Sequence, residues 1–156
     1  MLDGADAAVM LHTSPVYEVG TINSRVGPIM AAASARIFIT VYGVGGHAAA
    51  PHTGTDVVVA AASIITGVHG IVSRVIEPTE AAVISLPYLR AGDAFNVLPN
   101  TFEIGGTIRA LNSNTLNLLV NTIKVRAESI AAGHGCTVSV STCLLYTSPS
   151  PRDLRA

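Results

Sequence analysis

Residues 36–42 read RIFITVY and residues 136–142 read CTVSVST, and the alternation in these two stretches decides the fold. In the first, Ile37, Ile39 and Val41 share one face and Arg36, Phe38, Thr40 and Tyr42 the other. In the second, Cys136, Val138 and Val140 point inward and Thr137, Ser139 and Ser141 outward. A period of two with one apolar face is the pattern of a half-buried strand. Working inward, Thr55 or Asp56 is placed to cap a helix whose Val57, Ala61, Ile64, Val68, Ile71 and Val75 recur at three- and four-residue spacing. Pro78 stops its continuation. A second strand is expected over Ala82–Leu89, with Pro87 marking an edge or a bulge. A third is expected over Thr101–Arg109, with Phe102, Ile104 and Ile108 on its apolar face. A second helix, Ser113–Ala132, carries Leu116, Leu119, Val120, Ile123, Ala127 and Ile130 on one stripe, Asn117, Asn121, Lys124 and Glu128 on its wet face, and Gly133 as its cap. The order is β-α-β-β-α-β, which predicts an α+β, two-layer, ferredoxin-like sandwich: two helices on one face of a four-stranded antiparallel sheet, the other face bare.

The two ends stand outside that unit. Ala7-Ala8-Val9-Met10-Leu11 is a continuous apolar run ending at His12, which reads as a buried strand of a different sheet. Gly20–Ala33 reads as a connector. Leu144–Ala156 (LLYTSPSPRDLRA) has no periodicity and a Ser/Pro cluster, and reads as a non-native tail.

Composition narrows the partners. The 156 residues carry 9 Lys+Arg and 10 Asp+Glu, a net charge of -1, which gives no electrostatic reason to expect nucleic acid or an anionic membrane. Only 12% are charged, against roughly 25% in a typical soluble domain. With so few residues to make a solvated skin, part of the surface is expected to be covered by protein, or the chain to be a piece of something larger. The longest uncharged run, Val57–Ser73, falls short of the ~20 residues of a membrane span and contains Ser63, Thr66, Gly67, His69 and Gly70, so it reads as a buried helix. The 2 cysteines, Cys136 and Cys143, make no disulfide framework. Asp3 and Asp6 stand where a signal peptide places Lys or Arg, so no export address is visible and a cytoplasmic location is favoured.

The chemistry-bearing motifs are sparse. Gly43-Val44-Gly45-Gly46-His47 puts a histidine after a glycine-rich turn at a strand end. The glycines do not open a helix directly, so a phosphate cradle is disfavoured, and on spacing alone His47 is as well read as a surface residue of a tight turn. His47 and His52 are poorly spaced for two ligands on one helix face. His69 reads as a helix-surface residue and His134 as a loop or cap residue. His12 ends a buried strand, where α/β sheets keep their ligands, though a plain loop histidine reads equally well. No Ser-His-Asp set, CxxC pair or HExxH is present.

Several separated motifs together carry a family resemblance. They are residues 43–52 (GVGGHAAAPH), Asp56, Ile71-Val72-Ser73-Arg74, 92–99 (GDAFNVLP) and 105–109 (GGTIR), with 6–12 (DAAVMLH) and 19–30 (VGTINSRVGPIM) upstream. In that order and spacing the chain resembles the aminoacylase-type metal-dependent amidohydrolases, metallopeptidase family 20, in the hippurate hydrolase and auxin-conjugate hydrolase branch. It departs from them at Val44, where the family commonly has Lys. The resemblance implies residues 1–33 as the remnant of an α/β catalytic domain with its connector, 34–142 as the inserted dimerisation or lid domain, and 143–156 as the non-native tail. It implies hydrolysis of the amide of N-acyl amino acids by two zinc or manganese ions that activate water, in a homodimer joined through the lid. It assigns His12 as a metal ligand and His47 as an oxyanion donor acting across the dimer. Asn96 and Arg109 are the groups that grip the substrate carboxylate. The upstream Cys/His/Asp motif, the paired glutamates and the downstream histidine of the family are not in these residues, so the fragment is expected to be inactive alone. The alternatives are a free-standing ferredoxin-like module that binds a small ligand or regulates, and a purely structural dimerisation domain.

Overall fold

The computed structural model describes residues 13–24 and 33–145, with side chains to Cys143. Along the chain run β1 (Ala33–Tyr42), β2 (Gly46–His47), α1 (Val57–Arg74), β3 (Ala82–Arg90), β4 (Val97–Leu98), β5 (Thr101–Ala110), α2 (Ser113–Gly133) and β6 (Thr137–Leu145). The four long strands form one antiparallel sheet in the order β3-β5-β1-β6. The predicted β-α-β-β-α-β sandwich is therefore the observed one. The apolar run 7–11, His12 and residues 146–156 lie outside the described residues, whereas Cys143, Leu144 and Leu145, expected to belong to the tail, continue β6 because they pair with Arg36, Ala35 and Ser34 of β1.

Alternation decides which face of the sheet is covered. Ile37, Ile39 and Val41 of β1 are fully buried, as are Ile104 and Ile108 of β5, and each contributes about 1.5–3 kcal/mol relative to exposure. Both helices lie on this side. α1 brings Val57, Ala60, Ala61, Ile64, Val68 and Ile71 to the core, and α2 brings Leu116, Leu119, Ile123, Ala127 and Ala131. Val75, expected on the α1 stripe, is instead its exposed cap residue, and Ile76 fills the core in its place. On the opposite face Arg36, Phe38, Tyr42, Glu103, Thr137 and Ser139 are exposed.

The helix ends show how local chemistry sets the boundaries. Asp56 is the α1 cap, its Oδ1 accepting from the N–H groups of Val58 (2.9 Å) and Val59 (3.2 Å). Asn112 caps α2 through Oδ1, which accepts from Thr115 N–H at 2.8 Å. At the far end of α2 the expected stop at Gly133 is displaced. Gly133 is still helical, His134 is the cap, and the left-handed turn falls on Gly135 at φ +70°. The bulge expected at Pro87 is present, between Ser85 and Tyr88.

α1 has the length and apolarity of a membrane span, yet its core stripe packs on the sheet. Its outer face, with Val58, Val59, Ala62, Thr66, His69 and Ser73, is exposed and carries no Asp, Glu, Lys or Arg before Arg74, the last residue of the helix. The outer face of α2 exposes Lys124 and Glu128. The charge shortage of the composition is thus concentrated on one helix.

Gly133, the last residue of α2, and Gly135 beyond it should respond in opposite ways to alanine. A Cβ at Gly133 meets nothing within 4 Å, so Gly133→Ala should stabilise the fold by about 0.5–1 kcal/mol. Gly135→Ala should destabilise it by about 1–2 kcal/mol because the left-handed conformation clashes with Cβ. Thermal unfolding of the two variants checks both signs.

Candidate functional site

The site is built on a small arm at the C-terminal end of β1. After Tyr42 the chain leaves the sheet through Gly43–Gly45 and forms β2, which pairs antiparallel with β4. Gly46 faces Leu98 and His47 faces Val97, and Ala48 N–H donates to the Asn96 carbonyl at 3.0 Å. Two residues 49 positions apart in sequence are thereby set side by side: His47 and Asn96, both exposed. The sequence alone left 90–100 as a loop, because two-residue strands carry no periodicity to read.

The His47 ring is oriented. Its Nδ1 accepts from Ala49 N–H at 3.0 Å, while Nε2 has no partner among the described residues. A backbone N–H can only donate, so Nδ1 must present its lone pair and a neutral ring carries its proton on Nε2. The arm therefore offers an exposed N–H donor, with Asn96 exposed just before the paired β4. Phe95, beside Asn96, is fully exposed.

Arg109 is elsewhere. It lies near the opposite end of β5, between Ser34 of β1 and Val83 of β3. Thr101, where β5 leaves the arm, is eight residues away, roughly 27 Å at the antiparallel rise. One copy of the chain therefore brings His47 and Asn96 together and leaves Arg109 apart from them. Between the two ends, the bare face holds a shallow groove of ≈ 530 Å³ lined by Phe38, Tyr88 and Gly105, where Tyr88 Oη donates to Glu103 Oε2 at 3.2 Å.

The other histidines do not converge on the arm as ligands. His52 is in a single 3-10 turn (Pro51–Thr53), His69 is on the outer face of α1, and His134 Nε2 lies 3.1 Å from Ser63 Oγ. Among the described residues, no group of three or more His, Cys, Asp or Glu could hold a metal ion. His12 lies outside the described residues. The residues at hand therefore do not make a metal centre.

Residues 31–135 match the peptidase dimerisation domain, and the chain belongs to the M20 peptidase family through that domain. It is 35% identical to the N-acetyl-L-cysteine deacetylase of Bacillus subtilis strain 168, over 96% of this chain and 35% of that protein. It is 39% identical to an N-acetyldiaminopimelate deacetylase of Enterococcus faecalis, over 86% of this chain and 35% of the relative. Among solved structures it resembles the Bacillus subtilis YxeP protein, described as a dinuclear metal-binding peptidase of the M20 family. The TM-score is 0.59 at 29% identity, over 84% of this chain and 31% of the other. An aminobenzoyl-glutamate utilization protein from Klebsiella pneumoniae shares the fold, with a TM-score of 0.67 at 20% identity over 77% and 30% of the two chains. The chain spans about a third of the length of these relatives.

With no ligand set among the described residues, the purified chain should not turn over N-acetyl or N-benzoyl amino acids when zinc, manganese or cobalt is added. Chelator-sensitive turnover that disappears in His12→Ala would show that a working centre forms after all.

Proposed function

We propose that this chain is the lid portion of a metal-dependent amidohydrolase that cleaves the amide bond of N-acyl amino acids. The motifs at 43–52 and 92–99 favour the hippurate and auxin-conjugate hydrolase branch. The observation that carries the reading is the arm: His47 with Nδ1 engaged and Nε2–H free, exposed, and adjacent to Asn96. In the complete enzyme two zinc or manganese ions, with His12 among their ligands, would supply the activated water. This chain's own contribution is binding and charge stabilisation. His47 donates Nε2–H to the oxygen that becomes negative when the amide carbon turns tetrahedral. Asn96, as a neutral donor, and Arg109, with its planar fork, take the substrate carboxylate. Because Arg109 and the arm lie at opposite ends of β5, a site using all three draws on two chains, which supports the across-dimer role of His47.

The partner is a second copy. The outer face of α1 lacks charge, and the adjacent edge strand β3 exposes Val83, Tyr88 and Leu89. This pairing of an apolar helix face with an open sheet edge is the surface we assign to the dimer. The edge at β6 is flanked by the more polar α2.

Sedimentation should show the chain dimeric at tens of micromolar. Val59→Glu on the outer face of α1 should shift it to monomer, while Val125→Glu, equally outward on α2, should not. A monomeric parent, or a monomer produced only by the α2 change, would remove the assigned surface.

The catalytic reading is testable in an N-acetyl-L-cysteine deacetylase whose corresponding segment is replaced by residues 34–142. There His47→Ala should lower kcat by about 10²–10³-fold with little change in KM. Asn96→Ala and Arg109→Ala should mainly raise KM and erase the preference for acids over amides or esters. Mixing the His47→Ala form with a metal-ligand variant should restore activity in heterodimers, since one hybrid site holds both an intact centre and a donated imidazole. Heterodimers that form and stay inactive would leave His47 a turn residue.

A further inference from the structure

We infer that Thr55 and Asn100 are positioning residues for His47, an assignment that rests on the catalytic reading above. The segment carrying the histidine leaves β1 through Gly43, Val44 and Gly45, and two of these three residues are glycine. Such a stretch has more backbone freedom than any other composition gives it. A hydrogen-bond donor for a transition state must be held to within about 0.5 Å, so the freedom has to be removed.

The bonds that remove it come from both sides. On one side, Thr55 Oγ1 accepts from Val44 N–H at 2.6 Å, and Thr55 N–H donates back to the Val44 carbonyl at 2.8 Å. On the other, Asn100 Oδ1 accepts from Gly45 N–H at 2.7 Å, and the Asn100 carbonyl accepts from Gly43 N–H at 2.9 Å. Three consecutive amides are thus each engaged, two of them by side chains. Both anchors are rooted in the core: Thr55 directly precedes the α1 cap Asp56, and Asn100 directly precedes β5. A Cβ at Gly45 would fall 2.8 Å from Asn100 Oδ1, so the glycine leaves the space that this bond uses. From Gly45 the chain passes through Gly46 to His47, whose ring is then fixed by Ala49 N–H. Hydrogen bonds at Gly43, Val44 and Gly45 and at Ala49, joined by the short covalent link through Gly46, thus lead from the helix and sheet to the His47 ring.

The test uses this chain as it is, in nuclear magnetic resonance. In the parent, His47 should show the single neutral tautomer with Nε2–H, and the Ala49 amide should be protected from exchange. In Thr55→Val, Asn100→Ala and the double variant, Ala49 exchange should accelerate about tenfold or more and the ring should relax to the mixture of a free histidine. Amides of Ile39 and Ile104 should keep their protection, and Thr55→Ser should behave as the parent. Ala49 protection and ring tautomer unchanged in the near-isosteric Thr55→Val and in Asn100→Ala would overturn the assignment. So would loss of Ile39 and Ile104 protection in parallel with the loop, since the two residues would then act on the fold. The deacetylase chimera separates this from the catalytic reading. There Thr55→Val should lower kcat with KM held, and Thr55→Ser should restore it. If His47→Ala leaves kcat unchanged while the resonance result stands, the positioning survives and the catalytic role fails.

Discussion

The structure depends on β1 being an inner strand of the sheet, with neighbours on both sides. β5 and β6 satisfy its backbone along nearly its whole length, and its odd-numbered side chains form the centre of the core. A strand held this way cannot slip by one residue without turning Ile37, Ile39 and Val41 to water and Arg36 and Phe38 into the core. Its register therefore fixes where the chain exits at Tyr42 and where the arm begins. The position of His47 is set first by sheet register and only then by the loop that carries it.

The two-layer design gives the molecule three unlike surfaces. The helix side divides into a charged half over α2 and an uncharged half over α1, because Val57–Ser73 contains no Asp, Glu, Lys or Arg. The bare sheet face carries arginines at 36, 90 and 109 together with Phe38, Tyr42, Tyr88 and Glu103. The arm stands off the end of the sheet and presents polar donors. An isolated domain gains nothing by leaving an apolar helix face in water. In a chain that pairs with a copy of itself, the same face supplies the association energy, and the low charge content of the sequence becomes an interface property.

Elements with long periodic patterns were legible in the sequence, and elements defined by pairing alone were not. β1, α1, β5, α2 and β6 follow from alternation or from helical stripes, and Asp56 and Pro87 do what their side-chain chemistry dictates. β2 and β4 are invisible that way, since two residues carry no period and their existence rests on a contact between positions 46–47 and 97–98. The cap expected at Gly133 falls one residue later, on His134, because either glycine can end a helix and only the backbone shows that Gly135 takes the left-handed turn. For the site, family motifs named His47, Asn96 and Arg109, but the motifs hold no information on distance. The separation of Arg109 from the other two is a property of β5 running away from the arm. The link from Thr55 and Asn100 to the arm is hidden in the sequence for a related reason. Each sits one residue outside a recognisable element, and a threonine before a cap residue or an asparagine before a strand reads as turn chemistry.

That separation shapes the whole functional argument. A substrate small enough to be an N-acyl amino acid cannot touch both ends of β5 at once. If one lid supplied every contact, Arg109 and the arm would have to lie on the same end of the sheet, which the register of β1 with β5 forbids. In the dimer proposed above, two lids joined side by side along α1 and β3 would bring the arm of one chain toward a cleft whose proposed carboxylate-binding arginine, Arg109, comes from the other. On the proposed reading dimerisation is a requirement of the chemistry. The rigidity of β1, the uncharged face of α1 and the clamped arm serve the same end, which is to bring a single N–H group to a site its own chain does not complete.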